Sequence, residues 1–518
     1  MHRRALTAAL ASASVALGGA LAATNVPAQA ADPESPLVLE APDQVTVRAY
    51  DHQVFASLGI RMTAQGEDFE IQATRPETYD GPITATWKRE SGDVDLGEMS
   101  SWAGLDRFAR VRIIKPGRDR WITAAGCFNG SARKVGPAGP ASNPYPWGCP
   151  WNPYTLGSVM GVAQDYSALL LPRWGTGFRV KPGRYQLVAF ITPEWRERLG
   201  ISDADGKVTT RLVVKKGQNR WRTSATPAAR RTSAPPTAQR GVDDLEATTE
   251  APTADSAGAL ADEFAPDLRS LPAFDISVNS KGTALRFGAT VWNGGAGPMV
   301  IEGFRDDHGD EATRHDPGHE HSEHMTAYQY YFDGNGNQTG YDQVGEFNFH
   351  EGNHNHWHFE DFARYNLYGA DAEGNRLDDV VVRSTKASFC LVATDAVDLT
   401  VPNADMRPEY TDLGSQCGGA NARMLRQVLA NGHGDTYHQF RTGQAFRLKN
   451  VEDGIYYIGV EANPDDADGR NLQELGYDNN DSFRKVRIGT RANGKRFVRP
   501  FQVGIIEESG FENFRLAR

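Results

Sequence analysis

The sequence predicts an all-β protein made of two β-sandwich-like domains joined by a disordered linker. Three observations carry that prediction. Apolar and polar residues alternate over short stretches broken by glycine and proline, with few helical periods. A 40-residue stretch near the middle holds no aromatic residue and cannot build a core. The four cysteines form two close pairs, one on each side of that stretch. With 518 residues, 39% of them apolar and 23% charged, the chain is not a polytopic membrane protein, a collagen-like fibre or a wholly disordered chain. Its 55 Lys and Arg against 66 Asp and Glu give a formal charge of −11. That balance argues against a nucleic-acid partner and biases encounters toward cationic ones.

From the N-terminus, residues 1–30 read as a signal peptide. Arg3 and Arg4 precede the Ala/Leu/Val/Ser run from Ala5 to Ala23, and Ala28-Gln29-Ala30 is the small-x-small pattern of a cleavage site. The mature chain then starts at Ala31, is secreted, keeps no membrane segment, and meets an oxidising compartment in which disulfides persist. Residues 31–218 form the first β-rich domain, with Gln44 to Tyr50 and Ile83 to Arg89 as strand candidates and Cys127 with Cys149 as its disulfide. Residues 219–263 are the linker. Within it, 27 of the 40 residues from Thr223 to Asp262 are Ala, Pro, Ser, Thr or Gly, a composition that stays extended and flexible. Residues 264–518 are the second domain, with strand candidates Ala284 to Val291 and Ile455 to Glu461 and a Cys390–Cys417 disulfide. A faint echo links the two domains, since Val180 to Pro193 and Val451 to Pro464 share Val, Gly, Tyr and Pro at equal offsets. Both read as a turn entering a strand.

Eleven of the 13 histidines lie between His308 and His438, so histidine chemistry belongs to the second domain. In a strand, residues i, i+2 and i+4 share a face, which would align His354, His356 and His358 and turn Trp357 and Phe359 inward. Random placement would give roughly 0.008 such triplets, so the spacing is a specific signal. Three neutral imidazoles with an open position suit Cu(II) or Zn(II), and spacing does not separate them. His308, His315, His319, His321 and His324 lie among acids without apolar periodicity and read as a solvated loop. His350 sits beyond Gly352 and Asn353, with no fixed register to the row.

Three blocks in order then carry a resemblance. They are the His-x-His-x-His run followed by Glu360-Asp361-Phe362-Ala-Arg-Tyr365, the run Lys386-Ala-Ser-Phe-Cys390-Leu, and Asp435-Thr-Tyr437. From about Pro266 to Ile488 the chain resembles the catalytic domain of the lysyl oxidase family, copper-dependent amine oxidases with a lysine tyrosylquinone cofactor. The resemblance implies Cu2+ on His354, His356 and His358, and a cofactor formed by a cross-link between Lys386 and Tyr437. It further implies oxidative deamination of primary amines, above all peptidyl-lysine side chains, by O2, with release of an aldehyde, NH3 and H2O2. Asp361 is the leading candidate for the proton-transferring base, with Glu360 and Asp435 also in reach. Family members in vertebrates carry a histidine where this chain has Arg364, which brings in His438 as a substitute. A family calcium site has counterparts in Asp267, Leu268, Glu474, Asn479 and Asn480, with Gly476 standing where an aspartate is usual. Two other readings use the same residues. One is a zinc hydrolase on the three histidines, and the other a non-enzymatic copper-binding or cell-surface interaction protein. Neither explains Lys386 and Tyr437.

Overall fold

The computed structural model describes residues 35–217, 251–252 and 260–506, apart from 116, 118, 131, 172–176, 306–323, 351–354, 412 and 466–468. The signal-peptide segment, most of the linker, and His308, His315, His319, His321 and His354 lie outside the described residues. The protein is all-β. Among the described residues one short α-helix, Pro193–Leu199, interrupts the strands, and Gly200 closes it with a left-handed φ of 66°.

Alternation produces the strands where it was expected. Gln44–Ala49 buries every second residue, Ile83–Lys88 does the same, and the other two candidates become Ala284–Asn293 and Gly454–Ala462. In the first domain a five-stranded sheet runs Gln44–Ala49, Lys207–Lys216, Gly183–Ile191, Leu105–Ile114, Arg120–Gly126. Two four-stranded sheets and a short antiparallel pair, Gln53–Phe55 with Gly177–Arg179, complete it around one core. The second domain holds two six-stranded sheets and one five-stranded sheet around its own core. Both disulfides form, with Cα separations of 6.2 Å for Cys127–Cys149 and 5.8 Å for Cys390–Cys417.

The sequence echo has a structural counterpart. Gly183–Ile191 and Gly454–Ala462 are each the central strand of a five-stranded sheet. Tyr185 donates its hydroxyl hydrogen to the carbonyl of Lys181 at 2.8 Å, and Tyr456 donates to the carbonyl of Glu452 at 3.0 Å. In both domains a tyrosine thus bonds back four residues and pins the turn that enters the strand, the device of a tyrosine corner.

The linker is not what holds the two domains together. The described residues from Ser35 onward group as one compact unit. Tyr79, Tyr154 and Leu156 share a small core with Leu271, Phe274, Trp292, Val397 and Ile506. Leu156 donates its N–H to Val397 O at 2.7 Å, and Leu399 donates to Gly157 O at 3.2 Å. The buried Asn152 amide donates to Thr290 Oγ1 at 2.9 Å and to Asp395 Oδ2 at 3.2 Å. Burying large apolar side chains is favourable by about 1.5–3 kcal/mol each before the entropy of ordering them is set against it. Asp262–Phe264, the last two residues assigned to the linker and the first of the second domain, form a 3-10 turn.

Candidate metal and amine site

The histidine strand is His356–Glu360, paired antiparallel to the end of Gln338–His350 and, on its other side, to Ser388–Phe389. Trp357 and Phe359 are fully buried, as the alternation demanded, and Trp357 Nε1 donates to Gly419 O at 2.9 Å. His356 and His358 therefore share the opposite face, with their Nε2 atoms 2.9 Å apart. The strand begins only at His356, after Asn355 in a left-handed conformation with φ 49°. Among the described residues the regular row covers His356 and His358.

His350 takes a place that spacing did not assign to it. It lies directly across from His356, and opposed residues in an antiparallel pair project to one face. Its ring centre is 4.4 Å from that of His358. Its Nε2 is 3.1 Å from Ser388 Oγ and 3.8 Å from Glu360 Oε1. The available signal was the matching alternation Phe347-Asn-Phe-His350 and His356-Trp-His-Phe359, which folds as a hairpin with both histidine sets on one side. Among the described residues no three His, Cys, Asp or Glu side chains are grouped to close on one ion.

Lys386 and Tyr437, 51 positions apart in sequence, meet. Lys386 Nζ sits 4.0 Å from the centre of the Tyr437 ring and 4.4 Å from that of Phe389, and it donates to Ser388 O at 3.0 Å. Tyr437 ends the strand His433–Tyr437, packs edge-on against Phe389 at 5.3 Å, and donates its hydroxyl hydrogen to Cys390 O at 3.2 Å. The Cys390–Cys417 disulfide anchors that acceptor. Gly443, with φ 83°, lies so close that a Cβ there would stand 2.7 Å from Lys386 Cβ, so only glycine lets this loop pass. Ser388 joins the two clusters. Its carbonyl holds Lys386, while its hydroxyl reaches His350 Nε2 at 3.1 Å and His358 Nδ1 at 3.4 Å.

Burial, opposed by Asp435 and Glu360 and assisted by Arg441, lowers the Lys386 ammonium to about 8. Asp435 shares the face of Tyr437 two residues on, is 4% exposed, and has Oδ2 buried without a hydrogen-bond partner. Burial raises its carboxyl well above the usual range, with Lys386 pulling the other way. Burial also raises the Tyr437 phenol. Asp361 stands in a left-handed turn with φ 55° and donates its N–H to Ala387 O at 2.9 Å, tying the histidine strand to the lysine segment. His438 stacks between Trp151 of the first domain at 4.9 Å and Phe440 at 5.2 Å.

The five residues assigned to calcium also converge. The Asn479 amide donates to both Asp267 oxygens at 3.1 Å, and the Leu268 N–H donates to Glu474 Oε2 at 2.6 Å. Asn463 and Asn480 amides donate to Glu474 Oε1 at 2.7 and 2.8 Å. Burial pushes the Glu474 carboxyl up to about 7. Asn480 Oδ1 is buried with no hydrogen-bond partner. Arg269 Nε donates to Asp267 Oδ2 at 2.7 Å from one side.

Compared with models of known protein families and with curated proteins, the chain matches none.

Proposed function

We propose that this chain is a secreted, copper-dependent amine oxidase that deaminates primary amines, foremost lysine side chains of peptides, through a cofactor joining Lys386 and Tyr437. The observation that carries this reading is the 4.0 Å approach of Lys386 Nζ to the Tyr437 ring. A cation over an aromatic face is common by itself. Here the pair is largely closed off from water, sits one residue from the histidine face, and includes an amine driven toward its neutral, nucleophilic form.

Two observations support an ion on the histidines. Ring nitrogens on one ion at about 2.0–2.1 Å, set at a right angle, would stand about 2.9 Å apart, and His356 and His358 have that separation. Ser388 Oγ meets His358 Nδ1 at 3.4 Å, the outer hydrogen bond that leaves Nε2 directed at a metal. Copper supplies one-electron chemistry with O2, and the quinone supplies an electron sink for the amine. The protein's own contribution is positional. Ser388 and Phe389 hold the Lys386 amine over the phenol, and Cys390 O fixes the phenolic hydroxyl. Asp435, with an unpaired buried oxygen beside both, is the carboxylate best set to accept a substrate proton. This favours Asp435 over Asp361, whose contact with Ala387 has a backbone role. The calcium reading is supported by two buried carboxylates and the unpartnered Asn480 Oδ1, an oxygen-rich set of the kind Ca2+ takes. Secretion is supported by two disulfides, and no helix among the described residues is long and apolar enough to cross a membrane.

The test is to load the mature protein with copper in air and look for a phenylhydrazine-reactive chromophore together with a peptide containing both Lys386 and Tyr437. The expected result is a coloured protein, a linked peptide and peroxide from amines, all lost in Tyr437→Phe. Recovery of the two residues in separate unmodified peptides, with copper bound, rejects the reading. If the ion bound is zinc and esters or amides are hydrolysed instead, the hydrolase reading takes its place.

A further inference from the structure

We propose that the cleft between the two domains is a binding site for the C-terminal end of an apolar peptide, held by its carboxylate on Arg75. The cleft encloses about 850 Å³ and is lined from the first domain by Arg75, Trp102 and Trp151, and from the second by His438, Ile505 and Ile506. That volume lies in the upper part of the range, about 300–1,000 Å³, that ligand sites occupy. Its walls are set by prolines, Pro82, Pro150 and Pro153 among them, on segments fixed to the junction core. The site is therefore preformed.

Charge selects the occupant. No aspartate or glutamate is among the described residues that line the cleft, so among them Arg75 faces no anion. Its guanidinium lies 5.0 Å over Trp102, Nη1 makes one long bond of 3.4 Å to Pro153 O, and Nε has no hydrogen-bond partner. A half-buried guanidinium left this under-paired is costly, and a carboxylate offsets that cost by charge-assisted hydrogen bonds. One planar guanidinium matches one carboxylate, whereas the indole faces and isoleucines suit the apolar side chains that precede it. Capture of a peptide's terminal carboxylate is an established mode of recognition, by backbone nests in the known cases and here by a guanidinium. Burial lowers the Arg75 guanidinium, in keeping with a charge short of partners. The site is independent of the oxidase reading, because it needs neither metal nor cofactor.

The experiment titrates the full-length protein calorimetrically with an acetylated Leu-Pro-Phe peptide bearing a free C-terminal carboxylate, and with the same peptide ending in an amide. The expected result is saturable binding of the acid and at least about tenfold weaker binding of the amide, the effect of one charge-assisted contact. Arg75→Gln should bring the acid to the level of the amide and leave the amide unchanged. Equal affinity of acid and amide for the unaltered protein overturns the proposal without recourse to any variant, as does no binding by either. Phenylacetate binding as tightly as the peptide would give the site to small acids instead. Binding seen only in a chain ending at Ile506 would give it to the protein's own terminus.

Discussion

Replacing Lys386 by methionine in the copper-free protein should make it more stable at neutral pH. Methionine keeps the length and apolar stem of lysine and removes the charge. Burial lowers the Lys386 amine from 10.5 to about 8, so the unfolded chain binds the proton more tightly than the folded one, and stability rises with pH between those values. Below pH 8 the folded protein carries the whole penalty, and above 10.5 it carries none. At ~1.36 kcal/mol per pH unit the ceiling is roughly 3 kcal/mol. The amine is not fully closed off from water, and solvent screening reduces the expected gain to about 1–2 kcal/mol. Urea unfolding at pH 7 should show the variant's midpoint above that of the parent, with the gap narrowing as pH is raised through 8 toward 10.5. Equal midpoints at pH 7, or a gap that ignores pH, would show that Lys386 is not held in a desolvated site and would remove the reason for its nucleophilic state.

Three further outcomes follow from the same contacts. Ser388→Ala removes the hydroxyl between His350 and His358 and should weaken copper binding about tenfold, read by competition with a chromophoric chelator. Asn152→Ala strips buried partners from Thr290 and Asp395 and should cost about 1–3 kcal/mol. Because the two domains share a core, calorimetry should show one transition displaced as a whole, and a shift confined to one of two separate transitions would refute the coupling. Calcium should raise the midpoint of the parent protein and a chelator should lower it, an effect absent in Asn480→Leu. A midpoint indifferent to both would mean that Arg269 already supplies the charge Asp267 needs.

The sequence made the strands legible because their signal is local. Every second residue of Gln44–Ala49 and Ile83–Lys88 is buried, and no distant contact is needed to read that. The cysteine pairs were legible for the same reason, being close in sequence and short of other partners. The histidine face was only half legible. Strand periodicity fixed His356 and His358, and it passed over His350, which joins from the neighbouring strand. Alternation within one strand contains no information about register with the next until the turn between them is known.

What lay beyond periodicity altogether is the junction. The first domain looked like a separate module because a core-less linker follows it, and linker composition reports chain stiffness, not whether the flanking surfaces adhere. The contacts that join the domains are single residues without a pattern, Asn152 on Thr290 and Asp395, Trp151 on His438. Their targets are not arbitrary. Thr290 lies opposite Thr436, and Asp395 opposite Gly434, on the strand that ends in Tyr437. Thr290 and Thr436 share a hydrogen bond at 2.7 Å. Asn152 thus braces that strand from the face opposite Asp435 and Tyr437. A domain that buttresses the strand bearing the phenol contributes to the site's geometry, whatever else it binds.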